Sequence, residues 1–210
     1  MSEQKKLTLG AIFYNNFELL DMYGPLEMFG ILPQVEIVTV AEQAGPVKST
    51  QGPKTVADHS FADCPPLDLI LLPGGIGTIP ELSNEAMLTF LRERSKTAEV
   101  TMSVCSGSAI LAKAGLLDGR RATSNKLYFN LATSQSDKVE WVEEARWVED
   151  GPFVTSSGVS AGTDMALGVI ANLFGRETAE HAAMVSEYAW QDNPDHDPFA
   201  KYLNQGPSLT

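Results

Sequence analysis

Two cysteines occur in the 210-residue chain, Cys64 and Cys105, and their surroundings differ. Cys105 closes an apolar, strand-like run from Glu99 to Val104 and stands directly before Ser106-Gly107-Ser108, which opens an Ala- and Leu-rich helical pattern reaching Leu117. A thiol at such a junction sits on a sharp turn, its sulfur projecting above the sheet, as in a nucleophile elbow with small neighbours that permit the bend. The unpaired N–H groups and partial positive charge of the helix that follows predict a depressed thiol pKa and a thiolate populated near neutral pH. Cys64, in Phe61-Ala62-Asp63-Cys64-Pro65-Pro66, has no comparable setting and reads as a packing residue.

A reacting thiol needs groups that hold charge and move protons. Pro73-Gly74-Gly75 follows another apolar run, where glycines let the backbone approach a ligand; their N–H groups, with that of Ser106, could form an oxyanion site. The three histidines, His59, His181 and His196, lie away from every strand-to-helix junction, so a Cys-His hydrolase is not supported. Two carboxylates, Glu18 and Asp21, sit among Phe17, Leu19, Leu20 and Met22. An apolar setting raises a carboxyl pKa toward neutrality, which suits either of them to exchange a proton with the thiol. Gly162-Thr163-Asp164 reads as a helix start, Trp141, Trp147 and Trp190 as packing residues, and no spacing of His, Cys or carboxylate suggests a metal site.

The elements that must position these residues alternate in type. Strands are predicted over Leu7–Tyr14, Val35–Ala41, Leu67–Leu72 and Glu99–Val104. A loop is expected around Asp21 with a helix starting near Pro25, and further helices over Pro80–Lys96, Ser106–Leu117, Thr163–Phe174 and Glu177–Trp190. Val139–Val154, with its Glu149-Asp150-Gly151 turn, reads as a hairpin. This pattern predicts an α/β fold: a mostly parallel sheet covered on both faces, with its site beyond the carboxyl ends of the strands. A single domain over residues 1–192 is expected, followed by an irregular tail over 193–210.

Composition narrows the partners. Fifteen Lys and Arg against 27 Asp and Glu give a net charge of −12 and a pI near 4.6. That argues against a nucleic-acid binder or an anionic-membrane binder, both of which need clustered cations. Apolar residues at 43% are enough for a folded core. The polar start, the lack of a bilayer-length apolar run and the sparse thiols together predict a cytoplasmic protein with no signal peptide and no disulfide framework.

Several motifs, taken together, resemble the ThiJ/PfpI superfamily, whose fold is similar to that of class I glutamine amidotransferase domains. They are Leu20-Asp21-Met22-Tyr23-Gly24-Pro25, Phe61-Ala62-Asp63-Cys64-Pro65-Pro66-Leu67-Asp68, Pro73-Gly74-Gly75, Ser103-Val104-Cys105-Ser106-Gly107-Ser108, the run from Ala114 to Thr123, and Ser160-Ala161-Gly162-Thr163-Asp164. The likeness extends from Leu7 to about Tyr188 and, within the superfamily, is greatest to the isonitrile hydratases. It implies a flavodoxin-like three-layer sandwich, a homodimer, and a cofactor-free lyase that hydrates an isonitrile to an N-substituted formamide through a thioimidate. Cys105 would be the nucleophile, Asp21 rather than Glu18 the acid, and Ser106 the hydroxyl after the nucleophile. Gly74, Gly75, Ser106 and Asn125 would face substrate. The chain departs from its relatives in two places: Ser106 stands where hydratases commonly carry Thr, and Ser124-Asn125 where many relatives place a His. The alternative expectations are a ligand-sensing regulatory domain, although the chain leaves no room for a fused DNA-binding module, and a glyoxalase-like or hydrolytic enzyme acting on small carbonyl compounds.

Overall fold

The computed structural model describes residues 6–207, so most of the polar start lies outside the described residues. In chain order the elements are β1 (Leu7–Phe13), α1 (Leu19–Gly30), β2 (Val35–Ala41), β3 (Gly45–Lys48), β4 (Lys54–Ala57), β5 (His59–Ser60) and β6 (Leu69–Leu72). Next come α2 (Thr78–Glu81), α3 (Glu85–Arg94), β7 (Val100–Ser103), α4 (Gly107–Lys113), β8 (Arg121–Ala122), α5 (Phe129–Thr133) and β9 (Glu140–Trp141). The chain ends with β10 (Trp147–Asp150), β11 (Phe153–Ser156), α6 (Ala161–Phe174), α7 (Arg176–Val185) and a 3-10 turn over Ala200–Tyr202. Among the described residues no helix is long and apolar enough to cross a membrane.

Seven strands form the central sheet in the order β10-β11-β7-β6-β1-β2-β5. All neighbours are parallel except β10 and β11, which form the expected hairpin around Gly151. The strands at the centre are apolar on both faces, as a sheet covered by helices requires: Leu69–Leu72 of β6 and Leu9–Phe13 of β1 are buried throughout. Each fully buried Leu, Ile or Phe there contributes about 1.5–3 kcal/mol relative to exposure. Helices α1, α6 and α7 pack on one another, while α2, α3 and α5 gather on α4 to make the second outer layer. From β1 the order runs to β2 on one side and to β6 and β7 on the other, and such a reversal opens a crevice at the carboxyl ends of the strands.

Several boundaries differ from the sequence expectation: α4 stops at Lys113 instead of Leu117 and α7 at Val185 instead of Trp190, and two further differences arise through local and tertiary contacts. Helix α1 begins at Leu19, so it carries Asp21 in its first turn and Pro25 in its interior. The Gly24-Pro25 pair marks a packing site instead of a helix start. A Cβ at Gly24 would lie 2.4 Å from Thr163 Oγ1, and one at Gly162 would lie 3.3 Å from Pro25 Cγ, so small atoms here let α1 and α6 pack closely. The helix predicted over Pro80–Lys96 is split, because Asn84 caps a new start by accepting from the Ala86 and Met87 N–H groups at 3.0 and 3.4 Å. Beyond α7 the chain folds back: Pro194 O accepts from Arg146 N at 2.7 Å, and the buried Asp197 donates its N–H to Glu144 O at 2.8 Å.

Candidate active site

Cys105 follows β7 with φ of +57°, the left-handed region that residues other than glycine rarely adopt. Such a conformation costs of order 1–3 kcal/mol and persists only where surrounding bonds hold it. Here the Cys105 N–H is shared between Ser156 O and Ser157 O at 3.2 Å each, while its carbonyl accepts from Ser108 Oγ at 3.2 Å and Ser124 Oγ at 3.1 Å. Gly107 is needed for a different reason: a Cβ there would stand 2.7 Å from Pro73 O and 2.8 Å from Leu72 O, so only glycine lets the start of α4 press against the end of β6. The elbow is therefore built as the apolar run and the Ser-Gly-Ser sequence predict.

The turn after β6 joins the acid to the elbow. Gly74 N–H donates to Asp21 Oδ2 at 2.8 Å, and Gly75 N–H donates to Ser106 Oγ at 3.1 Å. A Cβ on Gly74 would meet Ser106 N and Oγ at 2.6 Å and Asp21 Oδ2 at 3.0 Å, so this glycine is wedged between the two. Gly75 has φ of +119° and abuts the backbone of Asn16 and Glu18. These glycines do allow close approach, but the oxyanion site expected from their N–H groups is not open in this arrangement, because both donors are already engaged. They hold the carboxylate and the hydroxyl in place.

Asp21 is fully buried and its Oδ1 has no hydrogen-bond partner among the described residues. Burial pushes its carboxyl well above the ordinary range, against the Gly74 N–H and the first turn of α1, both of which favour the charged form. The carboxyl and the Cys105 thiol lie within reach of each other: contact with the thiol favours the Asp21 carboxylate, and the Asp21 charge raises the thiol. Glu18, the other candidate acid, lies at the rim and accepts from Gln51 Nε2 at 2.6 Å.

The thiol departs from its sequence expectation. Cys105 is only 7% exposed, and burial, followed by the charge of Asp21, pushes it well above its ordinary value. The Ser106 N–H and Asn125 donate toward the sulfur, and the Ser106 side chain lies within hydrogen-bond reach of it, without overcoming burial. The expected depression from the helix start is therefore corrected by desolvation, which a sequence does not display. Burial raises both the acid and the thiol, and their titration belongs to the pair and not to either group.

Asn125 lies beside the sulfur at the cavity wall. Its Nδ2 donates to Cys105 Sγ at 3.0 Å and its Oδ1 accepts from Tyr128 N at 3.1 Å, so the amide is fixed at both ends. A Cβ at Gly158 would come 2.2 Å from Nδ2, which makes that glycine a condition of the contact. Sequence reasoning missed Gly158, and also missed Tyr14 and Thr78, which lie behind Ser106. A cavity of about 330 Å³ opens over the sulfur, walled by Ile76, Ile79, Leu127, Leu131 and Val159 and floored by Cys105 and Ser106. No histidine lines it. Among the described residues no group of three or more His, Cys, Asp or Glu side chains is placed to hold a metal ion.

The DJ-1/PfpI family model matches residues 9–172. An isonitrile hydratase of Pseudomonas putida is 36% identical over 188 residues, covering 87% of this chain and 79% of that protein. The HTH-type transcriptional regulator CdhR of Pseudomonas aeruginosa is 28% identical over 140 residues, 67% of this chain but only 41% of the regulator. Among solved structures, a ThiJ/PfpI family protein from Pseudomonas syringae superposes with a TM-score of 0.78 at 36% identity, over 93% of this chain and 77% of that one.

Proposed function

The chain belongs to the DJ-1/PfpI family, and on that premise we propose that it is a cysteine-dependent lyase that hydrates an isonitrile to an N-substituted formamide without a cofactor. The observation that carries this reading is the buried pair: a thiol on a strained elbow beside a carboxyl with one unpaired oxygen, in a cavity that no histidine lines. An isonitrile presents a terminal carbon that must gain both a proton and a nucleophile. The pair supplies both: Asp21 takes the thiol proton and delivers it to that carbon as Sγ bonds to it, giving a thioimidate and regenerating the carboxylate. Water then adds to the thioimidate carbon, with Asp21 passing a proton from the water to the nitrogen. Collapse of the adduct breaks the C–S bond, returns the remaining hydroxyl proton to sulfur and releases the formamide.

The apolar walls of the cavity suit an uncharged substrate with a hydrocarbon N-substituent. The proposed working unit is a cytoplasmic homodimer, in keeping with the exposed Ile76, Ile79 and Leu127 at the site mouth. Light scattering that returned the 22.7 kDa monomer mass would remove the dimer from the proposal. The activity itself is tested with cyclohexyl isocyanide: the protein is expected to form the formamide and Cys105→Ala is not. Equal yields from the two would overturn the reading.

A further inference from the structure

Behind the nucleophile a row of buried hydroxyls runs from Tyr14 through Thr78 to Ser106. Tyr14 OH lies 2.7 Å from Pro73 O and 3.1 Å from Thr78 Oγ1, and Thr78 Oγ1 lies 2.9 Å from Ser106 Oγ. Tyr14 is 5%, Thr78 0% and Ser106 5% exposed, so solvent has little access to supply or accept protons along the row.

Each hydroxyl owns one hydrogen, and this settles the direction of every bond. A carbonyl oxygen only accepts, so the Tyr14 hydrogen goes to Pro73 O. Thr78 must then donate to Tyr14, and Ser106 must donate to Thr78. The remaining contact is consistent: Gly75 N–H donates into Ser106 Oγ. The other acceptor within reach of Ser106, Gly75 O, lies at 3.5 Å and is the poorer alternative.

We infer that Tyr14 and Thr78 are positioning residues that turn the Ser106 hydrogen away from the sulfur, so that Ser106 meets the pocket as a hydrogen-bond acceptor. The consequence is chemical. A hydroxyl donating to the sulfur would stabilise the thiolate and blunt it, whereas an accepting oxygen favours the protonated thiol and can orient a water through one of its O–H groups. Reversing the row so that Ser106 donates to sulfur would require Thr78 to turn toward Ser106 and Tyr14 to abandon Pro73 O. The phenol is held protonated by its burial, so it cannot serve as a bare acceptor instead. The inference deepens the proposed lyase reading and shares its premise that Cys105 is the reacting thiol, but its test reads the thiol alone.

The test is the pH profile of Cys105 alkylation by iodoacetamide, followed by mass spectrometry of the Cys105 peptide. Thr78→Val leaves Ser106 without its acceptor and frees its hydrogen for the sulfur. The profile is then expected to move to lower pH, with alkylation on the order of tenfold faster below the wild-type midpoint, while Thr78→Ser restores the wild-type profile. Tyr14→Phe should move it in the same direction by less, and it covers the case in which Thr78→Val fails to fold. Adding Ser106→Ala to either variant should cancel the shift. An unchanged profile in the valine and phenylalanine variants, or a shift that survives Ser106→Ala, would overturn the inference. Failure of isonitrile hydration in the wild type would remove the substrate assignment and leave this result standing.

Discussion

Two aspartates are fully buried in neighbouring helices, Asp21 in the first turn of α1 and Asp164 in the first turn of α6, and they are treated in opposite ways. Asp164 is saturated. Its Oδ2 takes Arg146 Nε at 2.7 Å and a second guanidinium nitrogen, its Oδ1 takes Tyr188 OH at 3.0 Å and Gln191 N at 2.9 Å, and its carbonyl takes Trp190 Nε1 at 3.1 Å. Asp21 receives one backbone N–H and leaves an oxygen unpaired beside a thiol. The first arrangement fastens the chain after α7 to the start of α6 and to Arg146, which also reaches Asp197 at 3.5 Å. The second leaves a desolvated carboxyl able to exchange a proton with the thiol beside it. Burial alone does not mark a functional acid; what sets Asp21 apart is an unpaired oxygen beside a thiol with no cation in reach among the described residues, whereas the unpaired oxygen of Asp197 belongs to a carboxylate already paired with Arg146.

The largest effects should separate these two residues. Asp21→Asn is expected to lower isonitrile hydration by about 10²–10⁴-fold, the usual contribution of a positioned acid-base group. It should leave the fold intact or stabilise it. Asp164→Asn should do the reverse, because removing one member of a buried ion pair strands the other and costs about 3–5 kcal/mol. In a chain of this length that is a fall in Tm of roughly 10 °C, with specific activity of the folded fraction preserved. Calorimetry and a formamide assay on both variants test the contrast, and a stability loss in Asp21→Asn matching that of Asp164→Asn would erase it.

The pH dependence of stability sharpens the same point. Because burial raises the Asp21 carboxyl in the folded protein, its favourable contribution is present below the unfolded carboxyl value and is lost as pH rises through the folded one. The stabilisation gained by Asp21→Asn should therefore be small in acid and grow toward neutral pH. An increment that shrank with rising pH would mean that the carboxylate is held favourably after all. Activity should hold level while the pair keeps one proton, falling in acid when both groups are protonated and in alkali when neither is.

Smaller effects come from the groups around the sulfur. Gly74→Ala places a Cβ 2.6 Å from the Ser106 backbone nitrogen and should cost on the order of 1–3 kcal/mol as well as activity, read by Tm and by formamide yield. Asn125→Leu removes the amide that donates to Sγ and should slow Cys105 alkylation near neutral pH by about fivefold, the worth of one ordinary hydrogen bond.

The elbow could be read from the sequence because an apolar strand run ending in Cys-Ser-Gly-Ser admits few conformations, and the structure places Cys105 at φ +57°. The Pro73-Gly74-Gly75 turn was legible as a close approach. The use of its N–H groups was not, since Asp21 and Ser106 reach them from 53 and 31 residues away. The start of α1 was hidden because Gly24 and Pro25 answer to α6 and not to their own helix. Arg146 passed unnoticed for a similar reason, its partners Asp164 and Asp197 being 18 and 51 residues distant. The sign of the thiol shift was misread because a helix start is written in the sequence, whereas desolvation depends on everything that closes over the sulfur.

The coupling between the Asp21 carboxyl and the Cys105 thiol is the centre of this account, and Cys105 alkylation as a function of pH in wild type and Asp21→Asn reads it most directly, with Cys64 as an internal reference on the same chain. The wild-type Cys105 thiol should titrate above the ordinary thiol range, and removing the Asp21 charge should move its midpoint to lower pH while the Cys64 profile stays in place. A Cys105 midpoint that did not move would show that the carboxyl and the thiol are not coupled.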